Sequence, residues 1–128
     1  MDEVQEVCRK QILVIDDDKD IRDTLGDLLG LEGFGVMQAQ NGREGLDILE
    51  RQAKPCMILL DLMMPVMTGW QFLEEVHAGQ HADIAAIPLV VTSGAADLSG
   101  LDRHYNCVVL QKPVDIGRLL DLAHLNCA

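Results

Sequence analysis

Five short apolar runs, each stopped by polar or turn-forming residues, constrain this chain more than any other feature. Ile12-Leu13-Val14-Ile15 stops at Asp16-Asp17-Asp18, and Met57-Ile58-Leu59-Leu60 stops at Asp61. Pro88-Leu89-Val90-Val91 stops at Thr92-Ser93-Gly94, and Cys107-Val108-Val109-Leu110 stops at Gln111-Lys112-Pro113. A fifth, weaker run spans Gly35 to Ala39, before the turn Asn41-Gly42. Runs of this length, rich in β-branched residues, read as buried strands. Between them, Ile21, Leu25, Leu28 and Leu29 recur at helical spacing, as do Leu46, Ile48 and Leu49. Trp70, Phe72, Leu73 and Val76 mark a third helix, with Trp70 its expected anchor. Ile116, Leu119, Leu120 and Ala123 mark a last one, with Asp115 placed to cap it. Gly100 interrupts any helix over 95–105. Strands alternating with helices predict a doubly wound α/β fold, a parallel sheet covered on both faces.

At 128 residues the chain is one domain, with Gly33-Phe34-Gly35 a turn and not a dinucleotide loop. Residues 1–10 mix charges without periodicity and read as an N-terminal tail. Hydrophobic residues reach 48% while aromatics are 3%, so the core must be aliphatic. Ten basic against 21 acidic side chains give a net charge of −11, which repels phosphate backbones and anionic lipid. Direct nucleic-acid binding is therefore not expected. No apolar stretch approaches the roughly 20 residues of a membrane span, and Met-Asp-Glu-Val opens no secretory leader, so the chain reads as cytoplasmic. Cysteines at 8, 56, 107 and 127 show no metal-ribbon spacing. Cys56 and Cys107 read as small core residues, and a disulfide framework is not expected. His77 and His81, four apart but separated by Gly79, read as surface histidines.

In open parallel sheets, ligands bind outside the carboxyl ends of the strands. That rule gathers Asp16, Asp17, Asp61, Thr92 and Lys112 although the sequence scatters them. Two carboxylates about 4 Å apart repel by roughly 4 kcal/mol at an effective dielectric near 20. Converging acids therefore call for a cation, and hard oxygen ligands suit Mg²⁺. Lys112 adds a mobile positive charge and Thr92 a hydroxyl donor. Together these make a site for a phosphoryl group on a carboxylate.

The motifs Ile12-Leu13-Val14-Ile15-Asp16-Asp17-Asp18, Asp61-Leu62-Met63-Met64-Pro65-Val66-Met67-Thr68-Gly69, Val91-Thr92-Ser93 and Gln111-Lys112-Pro113 resemble the receiver domain of two-component response regulators. The resemblance covers residues 11–125. It implies a flavodoxin-like (βα)5 fold with strand order 2-1-3-4-5. It implies Asp61 as phosphoacceptor, taking a phosphoryl group from the phosphohistidine of a sensor histidine kinase or phosphotransfer protein. Asp17 would ligate Mg²⁺ (or Mn²⁺) directly, Asp16 through water, and the Met63 backbone carbonyl would be a further ligand beside Asp61. Lys112 would bind a phosphoryl oxygen, aimed by a cis Lys112–Pro113 bond, an isomer accessible to X-Pro. Thr92 would move toward the phosphoryl group. Such a module is not an enzyme but a switch with self-catalysed transfer and slow autodephosphorylation, signalling to an output partner. The chain departs from the family at Thr68, where Asp is frequent, at Ser93, where Ala is common, and at Val109, where the switch aromatic stands. Tyr105 is out of register for that role. Two rival readings are a phosphorylation-independent scaffold and an aspartyl-phosphate phosphohydrolase. The second lacks its general acid, because Met63 stands two residues after Asp61.

Overall fold

The computed structural model describes residues 10–52, 54–62, 68–78, 82–94 and 107–127. Strands β1 (Gln11–Ile15), β2 (Gly35–Ala39), β3 (Met57–Asp61), β4 (Leu89–Ser93) and β5 (Val108–Gln111) form one sheet in the order β2-β1-β3-β4-β5. All four pairings are parallel. Helices α1 (Lys19–Leu31), α2 (Gly42–Arg51), α3 (Gly69–Val76), a short α4 (Ala82–Ala85) and α5 (Ile116–Asn126) complete the described elements. The doubly wound sheet and its strand order are as expected. The expected interruption at Gly100 lies outside the described residues.

Strand alternation builds two cores. Leu13, Ile15, Ile58, Leu60 and Val91 face one side of the sheet, where Leu46, Leu49, Phe72, Leu73 and Val76 of α2 and α3 cover them. Ile12, Val14, Leu59, Val90 and Leu110 face the other, under Leu25 and Leu29 of α1 and Leu119 and Ala123 of α5. Both faces are apolar, which is why the central strands read as continuous hydrophobic runs and not as alternating ones. Each fully buried aliphatic side chain contributes about 1.5–3 kcal/mol relative to exposure. Only Phe72 and Phe34 bring buried phenyl rings into these clusters.

Local signals set the helix ends. Asp18 caps α1, its Oδ1 accepting from the amides of Asp20 (2.9 Å) and Ile21 (3.3 Å). Asp115 caps α5 by accepting from the Arg118 amide at 3.1 Å. Gly33 takes φ +96°, a left-handed conformation that lets the chain leave α1 and enter β2. Thr68 closes a capping box with Gln71, each side chain accepting from the other residue's amide, at 3.1 and 2.9 Å.

Two expectations are corrected. Trp70 does not anchor α3; it is 42% exposed, and Phe72, Leu73 and Val76 bury the helix instead. At about 100° per residue, position 70 falls about 110° from the centre of the stripe made by 72, 73 and 76, at the edge of the buried face and not on it. Cys56 is not a simple core residue: it forms a disulfide with Cys127, across 5.4 Å between Cα atoms. Cys107 is buried, as expected. His77 is exposed at the end of α3, and His81 lies outside the described residues.

Candidate functional site

The chain order along the sheet reverses between β1 and β3, and both strands end in acids. Asp16 follows β1 directly, its amide donating to the Ala39 carbonyl at 3.1 Å. Its Oδ1 accepts from the Asp18 amide at 2.9 Å, so the carboxylate is fixed within the turn that starts α1. Asp61 is the last residue of β3 and sits in register with Thr92 on β4. Asp16, Asp61 and Thr92 are all buried, at 3–4% exposure, whereas Asp17 is exposed. Carboxylate oxygens of Asp16, Asp17 and Asp61 lie within 4.8 Å of one another. Lys112, just past β5, reaches this cluster with Nζ 3.5 Å from Asp61 Oδ1. Its amide donates to the Ser93 carbonyl at 2.9 Å, and the bond to Pro113 is cis.

The electrostatics of the site follow from that crowding. Burial pushes the Asp16 carboxyl above its usual value; the Asp18 amide draws it back, and the Asp61 charge adds to the rise. One lysine offsets three carboxylates incompletely. The donor set is all oxygen, partly buried and open on the Asp17 side, and it fits a hard divalent cation that keeps several waters.

The structure adds a residue that motif reading passed over. Arg22, on the first turn of α1, donates through Nη1 to the Asp16 backbone carbonyl at 2.7 Å and through Nε to Gln38 Oε1 at 3.2 Å. It braces the acidic turn from outside. Its only sequence signal is its place four residues after the Asp18 cap, one helical turn on. A cavity of about 350 Å³ opens beside the cluster between α1 and α5, with Asp16, Thr92 and Lys112 at its polar end and Leu25 and Leu119 in its wall. Among the predicted site residues, Met63 lies outside the described residues.

Comparison with known proteins agrees with this geometry. The profile of the response regulator receiver domain matches residues 12–124. A response regulator receiver protein of Anaeromyxobacter sp. (strain Fw109-5) is 36% identical over 115 residues, 88% of this chain and 47% of its own length. The chain thus spans about half of that relative. An uncharacterized 14.6 kDa protein of Leptolyngbya boryana is 34% identical over 125 residues, covering 97% of this chain and 95% of its own. The crystal structure of a response regulator receiver protein from Pseudomonas putida superposes with a TM-score of 0.81 at 29% identity, over 91% of this chain and 96% of the other. Sheet order, acidic cluster and sequence similarity converge, and the chain belongs to the response regulator receiver domain family.

Proposed function

We propose that Asp61 is the phosphoacceptor of this receiver domain, taking its phosphoryl group from a phosphohistidine on a sensor histidine kinase or phosphotransfer protein. The observation that carries this reading is the convergence of Asp61 with Asp16, Asp17 and Lys112 at the carboxyl ends of the strands. An Asp61 carboxylate oxygen attacks phosphorus, the new O–P bond forms as the N–P bond breaks, and the imidazole leaves. Lys112 is close enough to follow a phosphoryl oxygen once the Asp61 charge is used in bonding. Thr92, facing Asp61 across the β3–β4 pairing, supplies a hydroxyl donor to the same group. Asp16, Asp17 and Asp61 would hold Mg²⁺, with Mn²⁺ able to substitute and the Met63 carbonyl as a further ligand. The bound ion supplies positive charge that offsets the carboxylates and the transferring oxygens. Water attack on the aspartyl phosphate then returns the resting state slowly.

The receiver unit in this reading is residues 11–125, with 1–10 as a tail, working in the cytoplasm where the kinase presents its phosphohistidine. A phosphorylated and an unphosphorylated form that bind an output partner differently carry the signal. The test is intact-mass measurement after incubation with acetyl phosphate and Mg²⁺. One phosphoryl group is expected on the wild type and none on Asp61→Asn. Stoichiometric labelling of Asp61→Asn at another residue overturns the assignment. Failure of the wild type to label or to bind Mg²⁺ supports the scaffold reading, and steady turnover of a phosphomonoester supports the phosphohydrolase.

A further inference from the structure

The Cys56–Cys127 bond lies at the opposite end of the sheet from the acidic cluster, and it joins β3, which ends in Asp61, to α5, which follows the Lys112 loop. Cys56 immediately precedes β3, whose other end is Asp61; Cys127 immediately follows α5, whose other end follows Lys112 and Pro113. Cys127 is also the third member of the buried stripe of α5, at i+4 spacing from Ala123 and Leu119. The bond is therefore the last point at which this helix is fastened to the sheet.

We propose that Cys56 and Cys127 form a reversible thiol–disulfide site, reduced by a dithiol, that clasps and releases the C-terminal end of α5. The inference rests on the cytoplasmic placement proposed above, because thiols there are held reduced and a disulfide persists only as a redox-responsive one. Both states have a place in the structure. In the reduced state the Cys56 thiol has an acceptor already in position, the Gln11 carbonyl 3.2 Å from its sulfur. Cys127, 4% exposed among apolar neighbours of the α1–α5 core, sits where a neutral thiol packs as a small hydrophobe. Access is one-sided: Cys56 is half-buried, so the incoming thiolate meets its sulfur first.

The exchange balances simply. The first thiolate of the dithiol attacks Cys56 Sγ, the S–S bond breaks, and Cys127 leaves as thiolate and takes a proton. The second thiol of the reductant then attacks the mixed disulfide, closing its own disulfide and releasing the Cys56 thiolate, which is protonated. Two electrons and two protons pass from the dithiol to the protein. What then holds the end of α5 includes the Cys127 amide donating to the Ala123 carbonyl (2.8 Å), the Asn126 side chain on Met57 Sδ (3.8 Å), the exposed His124–Glu32 contact (2.8 Å) and the His124 ring against Phe34 (5.1 Å between centroids).

The test treats the folded full chain with dithiothreitol, then with oxidised glutathione. Alkylation with peptide mapping scores Cys56 and Cys127, and amide hydrogen exchange follows residues 123–127. Reduction is expected to open both cysteines to alkylation and to speed exchange in that last turn by about tenfold or more, while β1 and β3 stay protected. Oxidised glutathione should restore the bond and the protection. The double variant Cys56→Ser with Cys127→Ser should show the reduced pattern without any reductant. A bond that yields only after urea unfolds the chain overturns the proposal. So does unchanged exchange after reduction, global loss of protection, or failure of the bond to re-form. Asp61 labelling by acetyl phosphate, run on both forms, separates failure of this site from failure of the phosphoacceptor reading.

Discussion

Replacing Asp16 by Asn should stabilise the metal-free protein, which is the reverse of what removal of a buried, hydrogen-bonded group normally does. The amide keeps the Oδ1 acceptor that the Asp18 amide uses at 2.9 Å, so the turn into α1 survives. What disappears is charge. Asp16 and Asp61 carboxylate oxygens within 4.8 Å repel by about 3.5 kcal/mol at an effective dielectric near 20. Asp17 is exposed and adds less than a quarter of that when screened as in water. Lys112 works against the gain, but its side chain is 32% exposed and its attraction is screened accordingly. The balance is a gain of about 1–3 kcal/mol at neutral pH, or about 1 M in urea midpoint for a slope near 2 kcal/mol/M.

The pH dependence fixes the cause. Burial raises the folded pKa of Asp16 above its usual 3.8, so the folded state holds that proton more tightly than the unfolded state does. Stability of the wild type therefore falls as pH rises from about 3.8 through the folded value, and the deficit is constant above it. Below 3.8 both states are protonated and the two proteins should converge. Urea titrations in EDTA across this range measure the difference directly. Saturating Mg²⁺ should close the gap, because the wild type gains binding energy that the variant, short of one carboxylate, does not. An Asn variant less stable than wild type in EDTA at pH 7, or a gain that persists unchanged to pH 3, refutes the reasoning.

Gly69→Ala should cost about 1–3 kcal/mol in urea unfolding, since its Cβ would stand 2.5 Å from Leu62 Cα and 2.8 Å from the Asp61 carbonyl, both backbone. The same push reaches Asp61 at the end of β3 and, with Asp61 as the proposed phosphoacceptor, should slow labelling by acetyl phosphate. Gly30→Ala, with nothing within 4 Å of its Cβ, is the control and should gain about 0.5–1 kcal/mol from helix propensity. Thr68→Ala removes half of the capping box and should lower stability by about 1 kcal/mol, whereas Thr68→Asp, an equally good cap, should leave the urea midpoint near wild type. Cys127→Ser opens a loop of 71 residues, worth about 4.4 kcal/mol in the chain-entropy account. Its urea midpoint should match that of the wild type in dithiothreitol and fall well below the oxidised protein.

Most of the architecture is legible because the signals that specify it are local. Runs such as Ile12–Ile15 and Met57–Leu60 are buried on both faces, so their pattern is unbroken and short, and short unbroken runs bounded by acids are hard to read as helices. The site is legible at second hand. Nothing in the sequence brings Asp16 to Asp61; parallel strands do so by placing all their carboxyl ends on one edge. Once the sheet is granted, the acids and the lysine must meet. Trp70 misleads because size was read as burial, while the helical angle sends its ring outward and gives Phe72 the core. Arg22 escapes because its partner is a backbone carbonyl, which carries no residue identity to match against.

The disulfide was illegible for a different reason, and that reason bears on what it does. Cys56 and Cys127 are 71 residues apart, with no spacing rule to join them, and Cys56 reads locally as a small core residue beside an apolar run. They meet only because α5, having packed Leu119 and Ala123 against the sheet, must deliver position 127 one turn further along the same stripe. β3 begins at that same end of the sheet, since its carboxyl end is committed to the acidic cluster. The cysteine pairing is thus a consequence of the same parallel arrangement that puts Asp61 beside Thr92 and Leu110, two residues before Lys112, at the other end. A change that slid α5 along the sheet by one turn would separate the sulfurs by about 5.4 Å of helix pitch and displace the lysine loop together. The fastening at Cys127 and the lysine loop thus flank the same helix, while Lys112 itself is held to the sheet through its amide on the Ser93 carbonyl at 2.9 Å.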